Sequence, residues 1–270
     1  GYRFREDTSR RDAGDSSLSG RRIKAMGRIP CSPFPADGKK AMEQIYANGH
    51  IPIIVGGTGF YIQALLYDID FTSTSQDDNY RQDLENLAKE KGAEYLHNML
   101  REIDPKSAED IHANNIKRVI RALEYYHQTG QKMSRHNEEE RQKESPYEFV
   151  YFVLNAPREQ LYQRIDRRVD QMMSEGLVEE VKRLKEMGCT KEMVSMQGLG
   201  YKEILAYLDG EYALDEAVYT IKRDTRHFAK RQLTWFRRER QVTWIQKEKY
   251  DYDEEKILEA MISHLEGKIC

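Results

Sequence analysis

IPIIVGGTGFY, residues 51–61, is the stretch that decides how this chain is read. Residues 51–55 form an unbroken apolar run, which suits a strand buried on both faces of a parallel sheet. The glycines at 56 and 57 follow it directly, and a second apolar segment begins at Phe60. Gly56 and Gly57 let the backbone turn tightly and come close to a ligand where no side chain intervenes. Thr58 then sets a hydroxyl and a backbone N–H near the start of a helix, where an anion is favoured. An ordinary strand–turn–helix packing bend uses the same residues, so the spacing alone leaves both readings open.

Working outward, KKAMEQIYANGH (residues 39–50) puts Ala41, Ile45 and Tyr46 at helical spacing and ends on Asn48 and Gly49, a C-cap signal. From 78 to 127 the pattern stays helical, through Tyr80, Leu84 and Leu87, then Tyr95, Leu96 and Leu100, then Ile116, Val119, Ile120 and Leu123. Asp104 and Pro105 break it. Residues 137–145 read as a polar, charged linker. FVYFVL (149–154) reads as a second buried strand and QVTWI (241–245) as the last, with helices at 158–188, 200–208 and 214–238 between them. Strands separated by long helices imply an α/β fold with a parallel sheet. The expected organisation is an α/β core at 39–77 and 144–250, an all-helical insertion at 78–143, and a C-terminal helix within 251–270.

The totals fit that outline. Of 270 residues, 39% are hydrophobic and 33% charged, enough for a core under a very polar surface. The apolar runs are far too short to span a bilayer, so no membrane partner is expected. Formal net charge is only −3, yet Lys222, Arg223, Arg226, Lys230, Arg231, Arg237, Arg238 and Arg240 crowd one stretch. Such a stripe suits a localised polyanion site or, more plainly, a solvated helix face. The cysteines, Cys31, Cys189 and Cys270, show no CxxC pairing, which argues against a disulfide framework or a zinc site and favours a cytoplasmic protein. No metal ligand set is expected from the protein itself.

Within the basic stripe, Arg223, Arg226, Lys230 and Arg237 share one helical face, while Ile221, Phe228 and Trp235 share the opposite one. Cations so arranged suit a diphosphate or RNA phosphates. KRVIR (117–121) is a smaller version inside the helical stretch.

Five segments in order resemble the tRNA dimethylallyltransferase family: IPIIVGGTGFYIQALL, DPKSAEDIHANNIKRVIRALEYY, LYQRIDRRVDQMMSEGLVEEVKRL, MQGLGYKEILAYLDGE and TRHFAKRQLTWFR. They lie between about Ala41 and Ile245, and their combination is far more specific than any one of them. The resemblance implies a P-loop-kinase-like parallel sheet whose helical insertion grips the tRNA anticodon stem-loop. The implied reaction moves a five-carbon prenyl group from dimethylallyl diphosphate to N6 of the adenosine 3′ of the anticodon, with Mg2+, and a monomer is expected. The target base must leave its stack to be reached. Carried over by position, Thr58 lies at the reaction centre, and Arg226 binds the leaving diphosphate. Gly56, Gly57 and Lys230 join them around it. Arg81, Lys117, Arg118, Val119, Ile120, Arg121 and Arg231 match positions associated with tRNA. Gly198, Gly200 and Tyr201 match a GxGYKE motif, for which a structural turn is the better reading. His112 and His227 receive no role.

The pattern departs from the family in two respects. No GxxxxGK[ST] occurs anywhere in the sequence, nor does the segment with the general-base Asp of a DS pair. The first strand and the P-loop are therefore expected to be missing. Residues 1–38 hold eight Arg and Lys but no useful apolar period. Shifted by one base, permitted codons for 1–7 read MDIGSAK, those for 16–22 read PHYLVDV, and those for 34–38 read FQQMA, three family motifs in order and in one frame. The expectation is an out-of-frame leader that rejoins the true frame at Lys39 and Lys40, with a natural basic tail as the alternative. Rival functions are a catalytically dead tRNA-binding remnant and a P-loop small-molecule kinase; the TRHFAKRQLTWFR helix and KRVIR speak against the kinase.

Overall fold

The computed structural model describes residues 33–69 and 78–269. The leader expected at 1–38 thus lies outside the described residues except for 33–38, which open the first helix. In chain order the elements are α1 (Pro33–Ala47), α2 (Gly59–Leu66), α3 (Asp78–Lys91), α4 (Ala93–Ile103), α5 (Pro105–Asp110), α6 (Ile116–Thr129) and α7 (Met133–Gln142). There follow β1 (Tyr151–Asn155), α8 (Arg158–Ser174), α9 (Leu177–Glu186), α10 (Tyr201–Leu208), α11 (Leu214–Phe236), β2 (Val242–Gln246) and α12 (Glu254–Ile269). Helices dominate. The described residues fall into two compact units, one containing Lys40–Gly59 and Phe149–Cys270, the other Phe34–Lys39 and Phe60–Glu148.

In the first unit β1 and β2 pair in parallel, Tyr151 opposite Val242 and Asn155 opposite Gln246. The Asn155 side-chain amide donates to Gln246 Oε1 at 3.0 Å and pins that end of the register. Parallel neighbours need a long crossover, which α8 to α11 supply. Val181, Met196, Ile204 and Ile221 are almost wholly buried at the centre of this crossover. The helix expected over 158–188 is two, because Gly176 takes φ 91, a left-handed conformation that breaks α8 from α9.

The strand expected at 51–55 is not one. Residues 51–56 carry no strand, and Ile51, Ile53 and Val55 are 84%, 84% and 80% exposed. A strand exists only through its ladder, and the sheet among the described residues holds β1 and β2 alone. The apolar run has strand-forming composition, but among the described residues no strand pairs with it. The linker expected at 137–145 also differs, since α7 runs through Gln142.

The second unit packs Leu96, Leu100, Val119 and Leu123 at its centre. Asp104 is 2% exposed and fastens two helices there. Its carboxylate accepts from Ser107 N at 3.1 Å and Ser107 Oγ at 2.6 Å, capping α5. It also accepts from Ser134 N at 2.9 Å and Ser134 Oγ at 2.6 Å, in the first turn of α7. Burial alone would raise its pKa, but these bonds from Ser107 and Ser134 outweigh it and hold the carboxyl below its ordinary value. A depressed carboxyl stabilises the fold above its unfolded pKa and loses that effect as pH falls through the folded one. Asp104→Ala is expected to remove both caps and cost roughly 2–4 kcal/mol. Chemical denaturation at neutral pH checks it, and in acid the gap between wild type and variant should narrow.

Candidate diphosphate and RNA-binding site

The turn at 56–59 is held against the C-terminal half of α11. Gln232 Nε2 donates to Gly57 O at 2.6 Å. Gly59 is buried, and a Cβ there would fall 2.1 Å from Trp235 Cδ1, so only glycine lets the turn approach the indole. Thr58, between these two anchors, is half-buried, while Gly56 is exposed. The glycines therefore serve the close approach that their spacing suggested, with a helix side chain as the immediate neighbour. Gln232 and Trp235 were not singled out for this part by sequence reasoning. Their signal is the pairing of a glycine-rich turn with polar and aromatic residues one turn apart on a helix.

Along α11, Arg226 lies six residues before Gln232, about 9 Å along the axis. Its Nη1 donates to Asp166 Oδ1 of α8 at 2.5 Å. Lys222 reaches Asp170 at 2.6 Å, so two ion pairs, four residues apart on each helix, tie α8 to α11 running antiparallel. The face expected to carry Arg223, Arg226, Lys230 and Arg237 is thus divided in use. Arg223 pairs with its neighbour Asp224, whose carboxyl is held low by that hydrogen bond. Lys230 and Arg237 line a small pocket of about 40 Å³ with Arg158, Tyr162, Leu233 and Thr234. Three cations and two hydroxyl groups make this pocket suited to an anion. Arg158, Tyr162 and Thr234 were not foreseen, because α8 and α11 meet only in the fold. Arg231 is exposed, 5.7 Å from the centre of the Phe228 ring. The apolar face differs from expectation too: Ala217, Ile221, Ala229 and Phe236 are buried, while Phe228 and Trp235 are only half-buried.

In the other unit, α6 exposes Lys117, Arg118 and Arg121. Val119 and Ile120, also expected at the tRNA surface, are 0% and 3% exposed and belong to the core. The 3.6-residue period explains the correction, since a five-residue run on a helix necessarily points some side chains inward. Arg81 is tied into the unit through Glu124 of α6. Gly200, at φ 96, starts α10, and its N–H donates to the buried Glu203 at 2.8 Å. That gives the GxGYKE segment a capping role.

Among the described residues no group of three or more His, Cys, Asp or Glu side chains converges to hold a metal ion. Mg2+ is usually held by one or two carboxylates together with substrate phosphates rather than by a cage of protein groups alone. No helix of the described residues is long and apolar enough to cross a membrane.

Comparison with known proteins finds relatives over most of the chain. A family model described as IPP transferase matches residues 27–239. A tRNA dimethylallyltransferase of Lachnoclostridium phytofermentans is 59% identical over 235 residues, 87% of this chain and 75% of that protein. One of Acetivibrio thermocellus is 53% identical over 218 residues, 81% of this chain and 70% of that protein. Among solved structures, the full-length tRNA isopentenylpyrophosphate transferase of Bacillus halodurans is similar at TM-score 0.57 and 37% identity, covering 90% of this chain and 78% of that one. A eukaryotic dimethylallyltransferase acting on tRNA is similar at TM-score 0.61 and 29% identity, over 79% of this chain and 54% of that one.

Proposed function

The chain belongs to the IPP transferase family of tRNA dimethylallyltransferases, and from that premise we infer that its function is the prenylation of tRNA. The donor we propose is dimethylallyl diphosphate, and the acceptor the exocyclic N6 of the adenosine 3′ of the anticodon. The amine attacks the allylic carbon, the carbon–oxygen bond to diphosphate breaks, and the N6 proton passes to a base. Because charge builds on the departing diphosphate, preorganised cations and N–H donors are the main catalytic need. The observation that supports this reading best is the turn at Thr58, docked by the Gln232 bond to Gly57 on the helix that carries Arg226 and Lys230.

The tRNA grip we assign to the outer face of α6, where Lys117, Arg118 and Arg121 are exposed on a helix with one acidic residue. Phosphate contacts release counterions, so each lost contact flattens the dependence of affinity on salt. Arg118→Ala and Arg121→Ala are each expected to weaken binding of an anticodon stem-loop RNA and to reduce the salt slope by about one. Filter binding across a salt series measures both. Unchanged slopes in the two variants would return α6 to a solvated surface.

Catalysis by this chain alone is a separate matter. Its sequence contains no GxxxxGK[ST], so the backbone nest and lysine with which such a loop surrounds phosphate are not encoded in these 270 residues. We propose that the chain by itself binds tRNA without transferring the prenyl group.

A further inference from the structure

Glu124 is the one acidic residue of α6, and it is 6% exposed in a helix otherwise dressed with cations. Its carboxylate accepts two bonds from Arg81 of α3, from Nε at 2.9 Å and from Nη2 at 2.7 Å. This is the side-on fork in which an arginine is held in both position and plane. The neighbouring Tyr80 stacks on His127, ring centres 4.0 Å apart and 15° from parallel. Two adjacent residues of α3 thus grip α6 at positions 124 and 127, one turn apart. Meanwhile Lys117, Arg121 and Glu124 follow one another at spacings of four and three, which places them on one face of the helix. The Arg81 side chain, fixed at the end of that row, is still 38% exposed.

We propose that Glu124 is a positioning residue for tRNA recognition: it holds the Arg81 guanidinium in register with Lys117 and Arg121, so that a preorganised row of cations meets successive phosphates. This rests on the reading of α6 as the tRNA face. Arg81 makes the contact with RNA, and Glu124 acts through it. Preorganisation lowers the entropy lost on binding, because a long cationic side chain is ordered before the RNA arrives.

The sign of one measurement separates this role from simpler ones. Glu124→Gln removes a negative charge beside a phosphate-binding face, and charge alone would strengthen RNA binding. Positioning demands the reverse. Binding of an anticodon stem-loop RNA to the full chain is measured across a salt series, below the unfolding temperature of each variant. The expected result is weaker binding by Glu124→Gln with a salt slope shallower by about one, matching Arg81→Ala. Arg81→Lys, which keeps the charge but cannot form the fork, should also bind more weakly than wild type. Adding Glu124→Gln to Arg81→Ala should cause no further loss. Equal or tighter binding by Glu124→Gln, or a lower melting temperature with binding unchanged, overturns the proposal. If Arg118→Ala and Arg121→Ala flatten the slope while Arg81→Ala does not, the α6 reading stands and this inference falls. If none of the three alters it, both fall.

Discussion

The 270-residue chain alone is expected to transfer no measurable dimethylallyl group to tRNA, while retaining salt-sensitive affinity for an anticodon stem-loop. The groups available to a departing diphosphate are unevenly prepared. Arg226 is directed to Asp166, and Lys230 and Arg237 line an open pocket with Arg158. Diphosphate leaves well only when donors are already aimed at the charge that develops, since reorganisation during reaction would raise the barrier. A GxxxxGK[ST] loop is how P-loop folds supply such donors, and none is present in the sequence. A labelled-donor assay on the chain alone, and on the chain joined to an added N-terminal segment that carries a GxxxxGK[ST] loop, tests this. Transfer by the joined protein only is the expected pattern. Repeated turnover by the chain alone would sink the proposal.

Much of the architecture was legible from local pattern because local forces decide it. The parallel pairing of β1 with β2 follows from two apolar runs joined by a long helical crossover, and both runs lie within two residues of where the sequence placed them. Pro105 and the acid before it marked a helix boundary that the structure keeps, with Asp104 as the cap. The error at 51–55 has a different origin. Composition reports what a segment favours, but a ladder needs a partner, and partnership is not a local property. The single helix expected over 158–188 failed on Gly176, whose left-handed φ is a common helix terminator that an apolar period does not reveal. For the site, the sequence located the cations but not their counter-ions. Asp166, Asp170 and Glu124 stand 60, 52 and 43 residues from the bases they hold, so only the fold could disclose which cations are already engaged.

In the joined protein, Arg226→Ala is expected to lower prenyl turnover roughly a hundred- to a thousand-fold, the usual cost of removing one preorganised charge stabiliser. Affinity for tRNA should change far less, because the row on α6 is untouched. Loss of fold is a poor explanation for such a drop. The pair that Arg226 forms with Asp166 is partly exposed, at 24% and 38%, and pairs of that kind contribute about 1 kcal/mol or less. The second pair, Lys222 with Asp170, still ties α8 to α11 in the variant. A thermal melt close to that of the parent protein would establish that the scaffold is intact. Single-turnover rates with bound tRNA then report the chemical step directly, and Arg226→Lys should recover part of it by restoring charge without the planar fork. Turnover within a few-fold of the parent would remove Arg226 from the diphosphate site and leave it a strut between two helices.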